Sequence, residues 1–453
     1  MNVALRAGTW LAATLALLAP ALWNRFPLLQ FDTGGYLARW FEGYLVPSRS
    51  VVYGLFLTAS WPLDFWPAVV LQAAAAVWML ALVFRIYGLA ERPPAFLGII
   101  ALLAATTTLP WITSILLTDI FAGLAVLALH VLVLHADRLD WRERSALVVF
   151  VAFAGATHSA TFLVLIALTV AALVVSLIDR SIVPRVEVAR AACAVALGAA
   201  MLLAANFAVA KRVAWTPGGY GIVFGRMLQD GIVARYLDDH CPDPRLRLCP
   251  YQHDLPATAD AFLWGGGVFN KLGRFDGLGD EMRTIVVESL AAYPGMQIET
   301  ALAATAKQLV RVATGEGVLN TLWHTYGIME RYTPSVLPAM RAARQQQNEI
   351  RFDAMNAVHV PVALASMALL PVIMLFALWR RSLRELGILA ATVTVAILAN
   401  AVICGALSNA HDRYGSRIIW LAPLVAVLAP LRRRSPIEDQ RPRYAMPLPR
   451  AAA

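Results

Sequence analysis

SATFLVLIALTVAALVVSLI, residues Ser159–Ile178, is a run of twenty residues without a charged side chain. That is about the ~20 apolar residues a helix needs to cross a bilayer. The run shows no period-two alternation, which argues against the strands of a membrane barrel. Working outward, similar runs recur at roughly 8–24, 65–85, 94–110, 112–135, 144–157, 190–210, 356–379, 386–408 and 416–431. With 59% hydrophobic and 15% charged residues and a mean hydropathy of +0.63, the chain is too apolar for an ordinary soluble protein. The sequence predicts an all-α polytopic membrane protein of about ten transmembrane helices, carrying one large, mainly helical extracytoplasmic insertion. The first run, after Arg6, reads as an uncleaved signal anchor. The runs at 144–157 and 159–178 break at Thr157-His158-Ser159 and predict a bent pair.

The net charge of +9 resides largely in arginines of short loops, so it reports topology rather than a nucleic-acid partner. With the N-terminus inside, the cytoplasmic loops hold Arg85 and Arg92, Arg138, Arg142 and Arg144, Arg180, Arg185 and Arg190, and Arg380, Arg381 and Arg384, then Arg432–Arg434. Counting short loops only, the opposite side is poorer, with no Lys or Arg near Pro110 and only His158 at the 157–159 turn, a positive-inside pattern that puts both termini in the cytoplasm of a bacterial inner membrane. The chain divides into an N-terminal membrane domain (1–212), a periplasmic insertion (213–355), C-terminal membrane helices (356–434) and a Pro- and Arg-rich tail (435–453) expected to be disordered. Within the insertion, helical patterns cover Val223–Leu237, two amphipathic stretches over 279–313 split at Tyr293-Pro294-Gly295, and 336–353. Ser50–Ser60 is too short to span and predicts a helix lying in the interface with its apolar side against lipid.

This sidedness gathers the polar residues of interest at one face. Asp32, in Gln30-Phe31-Asp32-Thr33-Gly34-Gly35-Tyr36, is a carboxylate just beyond the first span. It fits either a general base on a hydroxyl or a cap of the helix that follows. Arg49 fits a bidentate phosphate contact or a snorkelling arginine. Asp119, at the outer end of an apolar run, is an ionisable group in a costly place, or else a Thr118/Asp119 helix cap. His158 fits a proton carrier or phosphate donor, or a satisfied turn residue. His411-Asp412-Arg413-Tyr414, with Arg417, fits a phosphate site or interfacial anchoring. Cys241 and Cys249 fit a disulfide in an oxidising compartment; with His240 and His253 they match zinc spacing poorly. Cys193 and Cys404 lie in apolar runs as inert thiols. No P-loop, GxGxxG, GxSxG or HExxH stands in a supporting context.

In their order along the chain these motifs resemble the GT-C superfamily of membrane glycosyltransferases. The resemblance rests on Asp32…Tyr36, then Arg49-Ser50-Val51-Val52-Tyr53-Gly54-Leu55-Phe56-Leu57, a later acid at Asp119, Gly155-Ala156-Thr157-His158, and Arg413-Tyr414…Pro423. It covers the membrane domain. The chain departs from the pattern at Thr33, where several families carry a second acid, at Ser50 and Val51 in place of prolines, and at His158 in place of Arg or Lys. The resemblance implies a polyprenyl-phosphate-linked sugar donor and an outward-facing site. Asp32 and Asp119 would be the catalytic acids, Arg49, His158, Arg413 and Tyr414 would hold the donor phosphate, and a divalent cation is a possible cofactor. Its rivals are a non-catalytic scaffold of envelope polysaccharide assembly and a lipid or glycan transporter. Transporters place polar residues and helix breaks at mid-membrane, whereas here they gather at one face. The enzyme reading requires Asp32, Asp119, Arg49 and Arg413 to converge on one cavity.

Overall fold

The computed structural model describes residues 3–89 and 92–432; the tail assigned to 435–453 lies outside them. The first half of the described chain runs through α1 (Val3–Asn24), α2 (Thr33–Glu42), α3 (Val51–Thr58), α4 (Trp66–Ile86), α5 (Pro93–Thr106), α6 (Leu109–Ser114), α7 (Asp119–Leu134), α8 (Trp141–Thr157), α9 (Ser159–Ile178) and α10 (Arg185–Ala210). The insertion contributes α11 (Gly219–Gln229), α12 (Ile232–His240), α13 (Ala259–Trp264), α14 (Val268–Lys271), α15 (Arg274–Ala292), α16 (Pro294–Val310), α17 (Trp323–Tyr332) and α18 (Leu337–Arg341). The chain returns through α19 (Asp353–Trp379), α20 (Arg384–Ala406), α21 (Asp412–Ile419) and α22 (Leu421–Arg432). Among the described residues there is no strand, only a single bridge between Leu28 and Ile115.

Seven of these helical segments are long and apolar enough to cross a membrane, and α5 and α7 are shorter apolar helices. This is the architecture of a multi-pass helical membrane protein. Every one of the ten apolar runs contains helix, but three are interrupted, the run at 94–110 breaking at Thr107-Thr108 between α5 and α6. The run at 112–135 becomes helix α7 only from Asp119. Ahead of it the backbone leaves the helix, and the carbonyls of Thr113 and Ile115 accept from the buried Gln72 amide at 3.0 and 2.9 Å. Non-helical backbone among apolar helices persists only where such protein partners satisfy it. The run at 416–431 breaks at Trp420 between α21 and α22. Pro423, three residues past the break, has no N–H to donate to the carbonyl of Ile419.

Helix α7 is the axis of the bundle: every residue from Asp119 to Val133 is buried. Gly123 permits this at one crossing, since a Cβ there would stand 2.7 Å from the Trp420 ring. Helix α3 does not lie against lipid as its length predicted. Val51, Val52, Tyr53, Gly54 and Leu57 are buried, because α3 packs between α2, α8 and α10. Its Tyr53 ring meets Tyr36 and Phe121 edge-on.

The insertion has two parts. Residues 224–286 close around a core of their own, with Phe224, Leu237, Phe262, Phe269, Met282 and Ile285 fully buried. This is more self-contained than its sequence predicted. Gly231, at φ +79, breaks the anticipated single helix into α11 and α12. The Cys241–Cys249 disulfide is formed and borders this core. The second part packs on the membrane helices: α16 lies along α20, and α17 lies on α2. The stretch 336–353 is mostly turns, with α-helix over Leu337–Arg341 in α18 and, at its last residue, the start of α19.

Candidate functional site: a chain of buried ion pairs

The loop after α1 delivers Asp32 to the foot of α2. The residue occupies the N-cap position, yet its side chain makes no cap hydrogen bond. Both carboxylate oxygens are turned elsewhere. Oδ1 accepts from Arg49 Nη2, and Oδ2 accepts from Arg413 Nη1 at 2.5 Å. Burial alone would raise the Asp32 carboxyl, but Arg49 and Arg413 outweigh it and hold the group below its ordinary 3.8. The helix-cap reading therefore fails on geometry.

Gly34 and Gly35 make this approach possible. A Cβ on Gly35 would stand 3.2 Å from Arg49 Nε, and one on Gly34 would stand 2.7 Å from the Thr325 backbone. Thr325 completes that junction by accepting from the Gly34 N–H and donating toward the carbonyls of Gln30 and Phe31. Arg49 also lies over the rings of Tyr36 and Trp264, at 5.8 and 5.9 Å. Trp264 belongs to α13, so the insertion reaches the site.

Arg413, at the start of α21, joins the two acids. Its Nε donates to Asp119 Oδ2 at 2.8 Å while Nη1 holds Asp32. Asp119 is 2% exposed, and among the described residues neither its Oδ1 nor Arg413 Nη2 has a partner. Arg49, Asp32, Arg413 and Asp119 thus alternate in sign along one contact chain, but they do not all open on one cavity, which the enzyme reading had required. The cavity beside them, about 30 Å³, reaches Asp119 and Arg413 but not Asp32 or Arg49. Its polar wall adds Glu316, Thr108 and Ser416.

His158 caps α9 by accepting the Ala160 N–H at Nδ1, which also stands 3.3 Å from Arg417 Nη1. Burial and the neighbouring Arg417, Arg413 and Arg49 hold its pKa well below 6.5. His158 therefore enters as a neutral acceptor at Nδ1, with its proton assigned to Nε2 by these partners. Tyr414 turns its ring under Arg413 and Arg417, at 5.9 and 5.6 Å. Arg417 is 1% exposed and donates to Asn400 Oδ1 and the Cys404 thiol. Among the described residues it has no carboxylate partner, so its charge is balanced by neutral groups only.

Three participants were not singled out in the sequence. Glu316, between Gly315 (φ +96) and Gly317 (φ +78), accepts the Arg413 backbone N–H at 2.7 Å and pairs with His411 at 2.8 Å. Asp260 of α13 meets the other nitrogen of His411 at 3.3 Å. Burial would lower His411, but these two acids raise it to about 9. Asn400 anchors Arg417 from inside α20. Each left a trace in the sequence: an acid between two glycines, an acid ahead of an aromatic and three glycines, and a lone amide in an apolar span.

The donor set does not fit a divalent cation. Among the described residues no three His, Cys, Asp or Glu side chains are grouped to hold a metal, and three of the four Asp32 and Asp119 oxygens are engaged by guanidinium. No step below is routed through a metal.

The fold and site define a class: a multi-pass helical membrane protein with a partly buried ion-pair chain at the end of the bundle that carries the insertion. Comparison with protein-family models, curated proteins and solved structures finds no match.

Proposed function

We propose that the protein is a glycosyltransferase of the bacterial inner membrane. It moves a sugar from a polyprenyl-phosphate donor to an envelope glycan, lipid or protein at the periplasmic face. The observation that carries the reading is the meeting of Asp32 and Arg49 with the remote Asp119 and Arg413 in one contact chain. Glycosyl transfer from a lipid phosphate needs a base, such as an ionised carboxylate, to take a proton from the acceptor. It also needs fixed positive charge for the leaving phosphate, where preorganised charge contributes most. Arg49 and Arg413 supply that charge, and Arg417 adds a buried cation that has no carboxylate partner among the described residues. His158, neutral, offers Nε2–H as a further donor. The order of these motifs, which resembles the GT-C superfamily, supports the same assignment.

A second reading draws on one specific feature. Both oxygens of Asp32 are occupied by arginine, as in a purely structural clamp, and this favours a non-catalytic scaffold of polysaccharide assembly. One experiment separates the two. Cells lacking the gene are complemented with wild type or with Asp32→Asn, and envelope glycolipids are compared by mass spectrometry at equal protein level. Wild type restores a glycan that Asp32→Asn does not. Full restoration by Asp32→Asn refutes the enzyme and supports the scaffold.

A further inference from the structure

Helix α16 belongs to the insertion by its place in the chain, yet it packs along α20, one of the seven segments long and apolar enough to cross a membrane. The two backbones touch. A Cβ on Gly405 of α20 would stand 2.6 Å from the Ala304 carbonyl oxygen, and small residues at such crossings let helices approach closely in lipid. The N-terminal half of α16 is tied to the insertion core, where Gln297 and Thr300 accept from Arg226 of α11. Its last turn is tied to the bundle. There Gln308 donates to the His411 carbonyl and accepts the His411 N–H, both at 2.9 Å.

Between these ties α16 leaves one face uncovered. Leu302 and Val310 are 65% and 59% exposed, and Ala306 between them is exposed as well. Positions four apart stack on one face of a helix, so the three form a row about 12 Å long at ~1.5 Å per residue. The other exposed residues from Leu302 to Val310 are Ala303 and Lys307. Lys307 is the one charge among them, and its ammonium is near enough to act on Asp230, just past α11. One turn earlier Ile298 continues the row, but Glu299 is exposed beside it, which sets the edge of the apolar part toward water. Helix α20 has the same character. From Ala396 to Ala406 its exposed side chains are Leu398 and Val402, and the rest are buried or half-buried. A bare apolar row on a protein surface marks a site of interaction, and this row rides on a helix paired with a membrane-crossing one whose own exposed side chains are apolar. We propose that α16 lies in the membrane interface, with Leu302, Ala306 and Val310 set among the acyl chains of the leaflet on the insertion's side of the bundle. Part of the insertion is then held by lipid rather than standing wholly in water. Because Gln308 grips His411, close in sequence to Arg413, the lipid contact and the ion-pair chain share one helix. The proposal does not depend on glycosyl transfer.

The test uses the full chain in vesicles of phosphatidylcholine and phosphatidylglycerol in equal parts. The exposed Cys193 is replaced by alanine, and the buried Cys404 is left in place. A nitrobenzoxadiazole fluorophore is attached at Leu302→Cys or, as a second site on the same face should the first variant misfold, at Val310→Cys. Leu398→Cys on α20 is the lipid reference, and Lys271→Cys at the end of α14 is the water reference. Phosphatidylcholine with a doxyl group on its acyl chain should quench the α16 labels at least threefold more than the label at 271, and within twofold of the label at 398. Aqueous iodide should give the reverse order. Iodide quenching of the α16 labels equal to that at 271, without excess doxyl quenching, places the helix in water and overturns the proposal. Protection from both quenchers also overturns it and assigns the face to another protein chain. A label at 398 that doxyl does not reach overturns it together with the membrane placement of α20.

Discussion

Replacing Arg413 by glutamine removes the one side chain that touches both acids. Asp32 keeps Arg49. Asp119 keeps nothing, because Oδ1 has no partner and Oδ2 loses its 2.8 Å bond to Arg413 Nε. At 2% exposure the stranded carboxylate cannot recover its hydration. Breaking a buried pair from one side costs about 3–5 kcal/mol, most of it the uncompensated charge. Arg413→Gln should therefore cost about 3–5 kcal/mol in equilibrium unfolding in mixed micelles at pH 8. Adding Asp119→Asn should return at least ~2 kcal/mol, because the pair is directly bonded and the cycle is non-additive. A cost under ~1 kcal/mol for Arg413→Gln, or strictly additive costs in the double variant, would refute the buried ion chain.

Three further outcomes follow from other contacts. Gly34→Ala drives a Cβ to 2.7 Å from the Thr325 backbone, and overpacking of that kind costs about 1–3 kcal/mol; thermal scans of detergent-solubilised protein should show it, whereas Gly8→Ala, inside α1 with nothing within 4 Å, should not lower stability. His411, raised to about 9 by Asp260 and Glu316, contributes stability that is fully present below its unfolded value near 6.5 and is lost as pH rises through about 9; wild type should lose up to about 3 kcal/mol across that window, and a His411→Gln variant showing the same loss would contradict the assignment. Reduction of Cys241–Cys249, which closes a loop with a sequence separation of 8, should weaken the insertion by about 2.5 kcal/mol in the chain-entropy account; limited proteolysis should then cut between 224 and 286 while the bundle stays intact.

Much of this molecule could be read from the chain because hydropathy and charge act over whole segments. Twenty uncharged residues such as Ser159–Ile178 admit few alternatives, and the helix appears with those limits. The misreadings arose where the signal was uniform. Residues 112–118 are as apolar as the helix that follows them, so periodicity could not reveal the break, and the amide that satisfies it, Gln72, sits forty residues earlier in α4. Helix α3 was short and apolar enough for an interfacial position, but its partners α8 and α10 are remote in sequence. At the site, the residue types and their common face were legible; their connectivity was not. No local pattern tells that Asp32 ignores the helix it begins and reaches 381 residues along the chain to Arg413, or that Asp119 keeps one oxygen free. The acids of the insertion side, Glu316 and Asp260, act through His411, a long-range triad that single-residue reading does not assemble.

The most direct measurement places purified protein in vesicles containing a polyprenyl-phosphate-linked sugar and a membrane extract as the acceptor source. It follows release of free polyprenyl phosphate for wild type, Asp32→Asn and Asp119→Asn. Release by wild type, with a loss of at least ~100-fold in each variant as expected for removing a general base or the charge that organises the arginines, is the predicted result. No release by folded wild-type protein across the lipid-linked sugars of its native membrane, or undiminished release by both variants, would contradict the account.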